Sequence, residues 1–365
     1  MGLKCGIVGL TNSGKTTLFN CISNTKAEAT NFAFSTNKSN LGVCYIPDTR
    51  LMEIDRIKKA ERIIFTDMEV VDIPGLAKGS SQGEGIGNSF LADIRQVDAI
   101  IHVVRCFDDP NMPHMEGSVD PIRDIETLDL ELQVTDLEQI ERKIARTEKI
   151  AKSGDKDARK ILETLHKAKE HLENFENIRS LDLSSEEQKH IADLMLLTQK
   201  PLMFVCNVDD SSAKSGNDYS KAVVENLKET EIPVVVVAGK IESEIAELED
   251  EEERMMFLED LGLTEPSVNI LVRKAYELLN LISFFTVGEK ENRAWTIKRG
   301  MTAPNAAGAI HSDLERGFIR AEVIKYYDLI ELGTEAKCKE AGKMSVEGKN
   351  YIVEDGDVLH IRFNV

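Results

Sequence analysis

The chain has 365 residues, of which 42% are hydrophobic and 30% are charged, and its formal net charge is -19. This length predicts two or three domains, and the composition excludes a largely disordered chain. The acidic balance excludes a surface devoted as a whole to nucleic-acid phosphates, although local patches can still be basic.

The lengths of the apolar runs and the spacing of the cysteines indicate the cellular compartment. The longest apolar runs, such as residues 232–237, are far shorter than the roughly 18 residues that span a bilayer. No basic region followed by an apolar signal core opens the chain. Six scattered cysteines form no Cys-x-x-Cys pair, so neither a disulfide framework nor a zinc site is predicted. We therefore expect a cytoplasmic protein without a membrane partner.

Short apolar strands alternate with helical segments along the first hundred residues. Strands are predicted at 5–10, 68–73 and 99–104, with helices at 15–23 and 90–97 between them. Alternation of this kind predicts crossover units and a mostly parallel sheet. Further strands at 201–206 and 232–237 continue the pattern after a long interruption. The fold class is therefore α/β, in a domain split between residues 1–125 and 199–280.

The interruption, residues 126–198, has the pattern of a helical hairpin. One predicted seam is Leu130, Val134, Leu137, Ile140 and Ile144, and the other is Ile161, Leu165, Ala168, Leu172 and Phe175. Gly154 and Asp155 mark a turn at 152–156, so two antiparallel arms of a protruding coiled coil are expected. Residues 140–172 carry ten lysines and arginines against six acidic residues. This surplus indicates either a solvated helix face or a surface for RNA or the ribosome.

The last segment, residues 281–365, changes to short strand-like runs separated by glycines. Examples are the runs 293–297, 319–324 and 358–363. This pattern predicts a small α+β domain. The acidic stretch just before it, residues 242–260, is interpreted as a solvated helix.

A phosphate-binding motif lies at residues 9–16, where GLTNSGKT matches G-x-x-x-x-G-K-[ST] between a strand and a helix. The glycines allow backbone N–H groups to surround phosphate oxygens, and the helix N-terminus adds partial positive charge. Lys15 is expected to contact the terminal phosphates and Thr16 to bind Mg²⁺. The sequence therefore predicts a P-loop nucleotide-binding domain.

Two further positions are candidates for the same magnesium and phosphate site. Asp72 ends a strand as the first residue of D-x-x-G, where its carboxylate can hold a water bound to Mg²⁺ and the Gly75 N–H can contact the terminal phosphate. Thr36 lies between the two motifs, as a magnesium-binding switch threonine would. Four glycines within residues 79–87 suit a segment that is ordered only by a bound triphosphate.

The candidate base site follows the strand at 201–206. Asn207-Val208-Asp209-Asp210 resembles the guanine-recognising Asn-Lys-x-Asp, with Val208 in place of the lysine that stacks on the base. The Asp210 carboxylate favours guanine, whose edge carries two donors, but the loss of the lysine weakens this interpretation. Residues 238–240, Ala-Gly-Lys, could give backbone contacts to either base.

These residues resemble the Obg-like ATPase (YchF) family of P-loop proteins over essentially the whole chain. In the nucleotide domain the resemblance is carried by DIPGL at 72–76 and GEGIGN at 83–88. In the last segment it is carried by RAWTI at 293–297, TAP at 302–304, IH at 310–311, GFIRAEV at 317–323 and YIVEDGD at 351–357, which resemble a β-grasp-like TGS domain. Two departures are Ala33, where the family commonly has proline, and Asp210, where it usually has glutamate.

The resemblance implies a cytoplasmic, magnesium-dependent enzyme that slowly hydrolyses ATP in preference to GTP and binds the ribosome, with the large subunit expected, or RNA. Leu76 stands where wider relatives have a glutamine that orients water, so catalysis must come from other groups. Asn12 matches a position that helps hold K⁺, and His114 matches a histidine proposed to approach the attacking water. The predicted nucleotide-binding set is Gly9, Asn12, Ser13, Gly14, Lys15, Thr16, Thr17, Gly75, Asn207, Val208, Asp210, Ala238 and Gly239.

Three other functions share some of these features. A metabolic kinase would have the phosphate loop but would need neither the switch segments nor Asn207. A nucleotide-stabilised ribosome or RNA scaffold with incidental turnover is compatible with Leu76. A GTP-specific switch is compatible with Asp210.

Overall fold

The computed structural model describes residues 3–23, 39–75 and 86–364, with the side chains of residues 86–89 outside the description. The chain divides into two compact units. One comprises Met1–Gly42 and Glu69–Leu271, and the other comprises Val43–Met68 and Val272–Val365. Among the described residues, no helix combines the length and apolar character that crossing a membrane requires.

In the described part of the first unit, strands and helices largely alternate, while the second unit has several consecutive strands and helices. The strands are β1 (Lys4–Val8), β2 (Asn40–Tyr45), β3 (Arg62–Ile64), β4 (Asp67–Asp72), β5 (Ala99–Cys106), β6 (Leu202–Val208), β7 (Val234–Val237), β8 (Leu281–Val287), β9 (Glu291–Lys298), β10 (Phe318–Lys325), β11 (Met344–Glu347) and β12 (Asp357–Phe363). The α-helices are α1 (Lys15–Ser23), α2 (Thr49–Ile57), α3 (Ile86–Gln96), α4 (Pro121–Ala151), α5 (Lys156–Glu173), α6 (Ser185–Ile191), α7 (Asp218–Asn226), α8 (Gly239–Glu247), α9 (Glu251–Asp260), α10 (Ser267–Leu278), α11 (Ala303–Ile310), α12 (Ser312–Arg316), α13 (Tyr326–Leu332) and α14 (Glu335–Glu340).

The first sheet has the strand order β2-β4-β1-β5-β6-β7, and β4, β1, β5, β6 and β7 pair in parallel. Every residue of β5 and β6 is buried, because helices cover both faces of a parallel sheet and its central strands become continuous apolar runs. The carboxyl ends of these strands meet at one edge. Gly9, Asp72, Asn207 and Ala238 lie at or just after those ends, so the sheet brings separate motifs together.

The predicted helical hairpin is present, with its turn between the end of α4 at Ala151 and the start of α5 at Lys156. Asp120 caps α4 by accepting a hydrogen bond from the Arg123 N–H, and Pro121 occupies the first turn. The hairpin core is formed by Ile140, Ile144, Leu165, Ala168, Leu172 and further residues from 178–196.

Part of the predicted seam is wrong. Leu130 and Val134 are 46% and 37% exposed. The first half of α4 instead turns Ile125, Leu128 and Leu132 into the core beside the sheet. Phe175 lies beyond the end of α5, with a left-handed φ of 61°, and is exposed. One apolar helical period therefore serves two different cores along α4.

The second unit contains a sheet with the order β11-β10-β12-β8-β9-β3. Residues 43–68, which fall within the predicted range 1–125, supply β3, which pairs in parallel with β9, and α2, whose Leu51 and Ile54 pack against Phe285. The YIVEDGD motif closes a turn here. Asp357 is fully buried and accepts hydrogen bonds from the Tyr351 hydroxyl and the Lys325 ammonium, both at 2.7 Å.

Candidate functional site

The phosphate loop connects β1 to α1 and has the backbone that its glycines permit. Gly14 has a φ of 93°, and a Cβ atom there would clash with the Asn207 amide. A Cβ atom at Gly9 would clash with the Val103 carbonyl. Asn12 also lies in the left-handed region, with a φ of 65°. At Gly9 and Gly14 the loop therefore lies closer to neighbouring residues than a residue with a Cβ atom could lie.

Lys15 is held at the buried end of this loop, with only 7% of its surface exposed. Its Nζ atom donates a hydrogen bond to the Leu10 carbonyl at 2.9 Å. Burial lowers the pKa of Lys15 to about 8, and the negative charge of Asp72 partly opposes that shift. A side chain at Gly75 would come within 2.9 Å of Lys15 Nζ, so the backbone of D-x-x-G adjoins this ammonium group.

Thr16 and Asp72 meet beside Lys15, although they come from separate motifs. Thr16 Oγ1 donates to Asp72 Oδ2 at 2.9 Å. Burial raises the pKa of Asp72, while the Thr16 hydrogen bond and the charge of Lys15 lower it. Asp72 Oδ1 is buried without a hydrogen-bond partner in the described residues. A hydroxyl and a carboxylate with a spare oxygen are a donor set that suits Mg²⁺.

Several predicted positions near this centre fall outside the described residues. They are Thr36, Ala33, Leu76 and the glycine-rich run from residue 79 to residue 85. Within the described ranges, no group of three or more histidine, cysteine, aspartate or glutamate side chains could hold a metal by itself.

The side chain of Asn207 connects the phosphate loop to the start of α8. Its Nδ2 atom donates to the Ser13 carbonyl, and its Oδ1 atom accepts from the Gly239 N–H, both at 2.9 Å. Asn207 and Ala238 are buried. The predicted base-contact residues Ala238 and Gly239 therefore start α8 at a position that Asn207 fixes.

The two aspartates that follow have different surroundings. Asp209 accepts hydrogen bonds from Ser212 Oγ at 2.9 Å and from Asn217 Nδ2 at 3.2 Å, so it stabilises its own loop. Asp210 extends outward, and its Oδ2 atom lies 2.7 Å from Lys240 Nζ. Val208 ends β6 within the hydrophobic core. The side chain at position 208 therefore does not replace the stacking lysine.

A cleft of about 500 Å³ joins these elements. One wall is a segment that the sequence analysis missed, the loop after β5, which includes Phe107 and Met112. Arg105 fixes this loop by donating to the Phe107 carbonyl at 3.1 Å and stacking 4.7 Å from the Phe107 ring centre. Its position after a buried central strand could have identified it. The full lining is Gly14, Thr17, Phe107, Asp108, Asp109, Pro110, Met112, Asn207, Val208, Asp209, Asp210, Gly239, Lys240 and Ser243.

The two remaining catalytic candidates meet at the loop that precedes α4, since His114 belongs to that loop and Asn12 contacts it from the phosphate loop. Asn12 Nδ2 donates to the Pro113 carbonyl at 3.4 Å. His114 accepts from the Glu116 N–H through Nδ1 at 3.1 Å, so its proton is on Nε2, which donates to Asp124 Oδ2 at 2.9 Å. Both ring nitrogens of His114 are thus engaged, one with the backbone of its own loop and the other with Asp124 in the first turn of α4. Ser13 Oγ is buried without a partner among the described residues.

Comparisons with known proteins extend over the whole chain. A family profile described as 50S ribosome-binding GTPase matches residues 4–167, and a YchF-GTPase C-terminal profile, described as a protein of unknown function, matches residues 281–364. The chain is 50% identical to the ribosome-binding ATPase YchF of Bacillus subtilis and 51% identical to that of Haemophilus influenzae, in each case over all of both chains.

Among solved structures, the YchF GTPase of Schizosaccharomyces pombe matches with a TM-score of 0.88 at 34% identity, covering 99% of this chain and 98% of the other. This match confirms the predicted P-loop domain followed by a smaller C-terminal domain of helices and strands. The resemblance inferred from the motifs is likewise confirmed. With half of its residues identical to curated relatives along their full length, the chain belongs to the YchF family.

Proposed function

We propose that this chain is a ribosome-binding ATPase that slowly hydrolyses ATP to ADP and phosphate and acts as a conformational switch linked to translation or stress. The relatives from Bacillus subtilis and Haemophilus influenzae are both named ribosome-binding ATPases. A cytoplasmic location follows from that proposal.

The observation that carries the proposal is the meeting of Lys15, Thr16 and Asp72 directly beside Gly14 and Thr17, the phosphate-loop residues that line the cleft. Thr16 and Asp72 would hold Mg²⁺, which supplies positive charge to the phosphate oxygens when it is bound. Lys15 would exchange the Leu10 carbonyl for the terminal phosphates, and the Gly75 N–H would contact the γ-phosphate. These groups position and neutralise the triphosphate, which is the main catalytic contribution in phosphoryl transfer.

Activation of the attacking water would rely on groups other than a glutamine. The Asn12 amide oxygen can coordinate a monovalent cation, and we propose that K⁺ there adds charge neutralisation. His114 would act on water only after releasing Asp124, since its Nε2 proton is donated to that carboxylate. Because potassium needs no such rearrangement, it is the stronger of the two proposals.

For the base, we propose that ATP binds at least as well as GTP, with affinities within about tenfold, because an exposed carboxylate contributes little selectivity. The Asp210 carboxylate favours GTP as the second candidate. The names of the fission-yeast YchF protein and of the matching profile both contain GTPase.

We propose that the helical arms and the last domain contact the ribosome. We propose a division into a nucleotide domain (1–125 and 199–280, except residues 43–68, which belong to the second compact unit), helical arms (126–198) and a TGS-type domain (281–365). The exposed tip of the arms carries Lys152 and Lys156, within the segment that has ten basic against six acidic residues. Ribosomal RNA, in the large subunit as we propose, would attract this tip.

Sedimentation with ribosomes tests the proposal on the full-length chain. We expect the parent to release phosphate from ATP and to pellet with ribosomes, with binding that changes between ATP and ADP and weakens as salt rises. Lys152→Glu with Lys156→Glu should reduce pelleting, while Lys221→Glu on α7 combined with Lys228→Glu just after α7 serves as the matched control. Ribosome affinity that ignores the nucleotide would favour a scaffold instead of a switch.

A further inference from the structure

We propose that Asp210 and Lys240 recognise the purine edge as a pair, and that Lys240 keeps the cleft open to adenine. This inference rests on the proposed function, since it concerns the base specificity of the same site. From the sequence, residues 238–240 are expected to give only backbone contacts to a base. The structure brings the Lys240 side chain to the candidate base-recognising carboxylate.

The pair lies at the outer end of the cleft on two well-anchored backbones. Lys240 Nζ and Asp210 Oδ2 are 2.7 Å apart, and the two side chains are 72% and 43% exposed. Both residues line the cleft together with Asn207 and Gly239. Lys240 directly follows Gly239, whose N–H is bound by Asn207. Asp210 directly follows Asp209, which is held by Ser212 and Asn217.

Other side chains near the base end are already committed. Both polar atoms of the Asn207 amide bind the backbone, and Val208 packs in the core. Across the cleft, Asp108 accepts from the Tyr219 hydroxyl and Asp109 from the Asn111 N–H. Asp210 and Lys240 are the charged lining residues that pair with each other. Asp210 raises the pKa of Lys240, so the ammonium stays charged at neutral pH.

The donor and acceptor pattern of the pair fits both purines. Adenine presents an amino donor beside a ring-nitrogen acceptor, and guanine presents a carbonyl acceptor beside ring and amino donors. A carboxylate only accepts and an ammonium only donates, so the pair can match either edge. A carboxylate alone matches guanine and repels the adenine ring nitrogen. Lys240 therefore supplies the donor that adenine needs.

The test is competitive displacement of a fluorescent ATP analogue by ATP and by GTP. For the parent we expect affinities within about tenfold of each other. Lys240→Ala should shift the ratio toward GTP by about tenfold, and weaker ATP binding should account for most of that shift. Combining Lys240→Ala with Asp210→Asn should return the ratio to within about threefold of the parent, because an amide both donates and accepts.

The matched control is Lys221→Ala, which removes a lysine that is 69% exposed and paired with Asp218 on α7. If Lys240→Ala shifts the ratio no more than this control, or shifts it toward ATP, the inference is overturned while the proposed function stands. If neither triphosphate displaces the analogue from the parent, the proposed function and the inference fall together. Both lysines are exposed, so matching thermal unfolding curves should confirm that the variants are folded.

Discussion

The two ends of the nucleotide cleft are built in different ways. At the phosphate end, Lys15 and Asp72 are each 7% exposed; Lys15 donates to the Leu10 carbonyl, and Asp72 accepts from the Thr16 hydroxyl. At the base end, Asp210 and Lys240 form an ion pair whose side chains are largely in solvent. The phosphate end is therefore rigid and partly desolvated, while the base end can rearrange.

This difference has a chemical reason. The phosphates are identical in ATP and GTP, so a buried and preformed set of charges can serve both. The bases differ only in the pattern of donors and acceptors at their edges. An exposed ion pair costs little to separate or reorient, so it can accommodate both patterns. Binding strength and base selectivity should thus depend on separate residues.

Replacing Lys15 should give the largest effect. Lys15→Ala removes the one ammonium group buried beside Asp72 in the described part of the site. We expect ATP hydrolysis to fall by at least about a hundredfold, because a preorganised charge near the phosphates is lost. Phosphate release measures this, and circular dichroism should show an intact fold. A folded variant with the parent rate would contradict the assignment of the phosphate end.

The Asn207→Ala variant should show whether Asn207 belongs functionally to the phosphate end or to the base end of the site. The variant leaves the Gly239 N–H and the Ser13 carbonyl without their partner, which should lower the free energy of unfolding by ~2 kcal/mol. We expect ATP and GTP affinities to fall together by about thirtyfold, with their ratio unchanged. Asn226→Ala, on the exposed end of α7, is the control. A changed ratio would place Asn207 among the base-recognising residues.

The dependence of affinity on pH should reveal the burial of Lys15. Its pKa of about 8 means that the free protein loses the ammonium charge as the pH rises above about 8. Bound phosphates favour the charged form, so binding takes up a proton there. ATP affinity should then fall by about tenfold per pH unit. In Lys15→Arg the guanidinium remains charged, and titrations from pH 7 to pH 10 should show a flat profile.

The sequence predicted the phosphate end much better than the base end. GLTNSGKT is local, and its conformation follows from its own glycines and the strand before it. Asp72 could be placed because parallel strands share one carboxyl edge. The contact between Asp210 and Lys240 depends instead on the segment after β6 and the start of α8, where the two residues lie 30 positions apart in the chain. No local pattern indicates which of their side chains will meet.

The same limit explains the errors in the helical arms. The apolar period of α4 is continuous, but Leu132 faces the core of the sheet and Ile140 faces α5. Periodicity identifies a buried face without naming what covers it. Similarly, nothing in residues 43–68 indicates that β3 will pair with β9 more than 200 residues later.

The smallest expected effect concerns potassium and would limit the contrast between the two ends. Asn12 belongs to the phosphate loop, yet it is exposed, and its amide reaches across to the Pro113 carbonyl. If K⁺ binds at its amide oxygen, one part of the phosphate end also depends on a solvent-accessible group.

Exchanging potassium for sodium should then slow ATP hydrolysis by about fivefold, equivalent to ~1 kcal/mol in the barrier. Asn12→Ala should reduce that difference, while the Asn226→Ala control should retain it. Steady-state phosphate release in matched chloride salts is the measurement. Equal rates of the parent in both salts would remove potassium from the mechanism and leave the phosphate end dependent on Lys15, magnesium and the backbone.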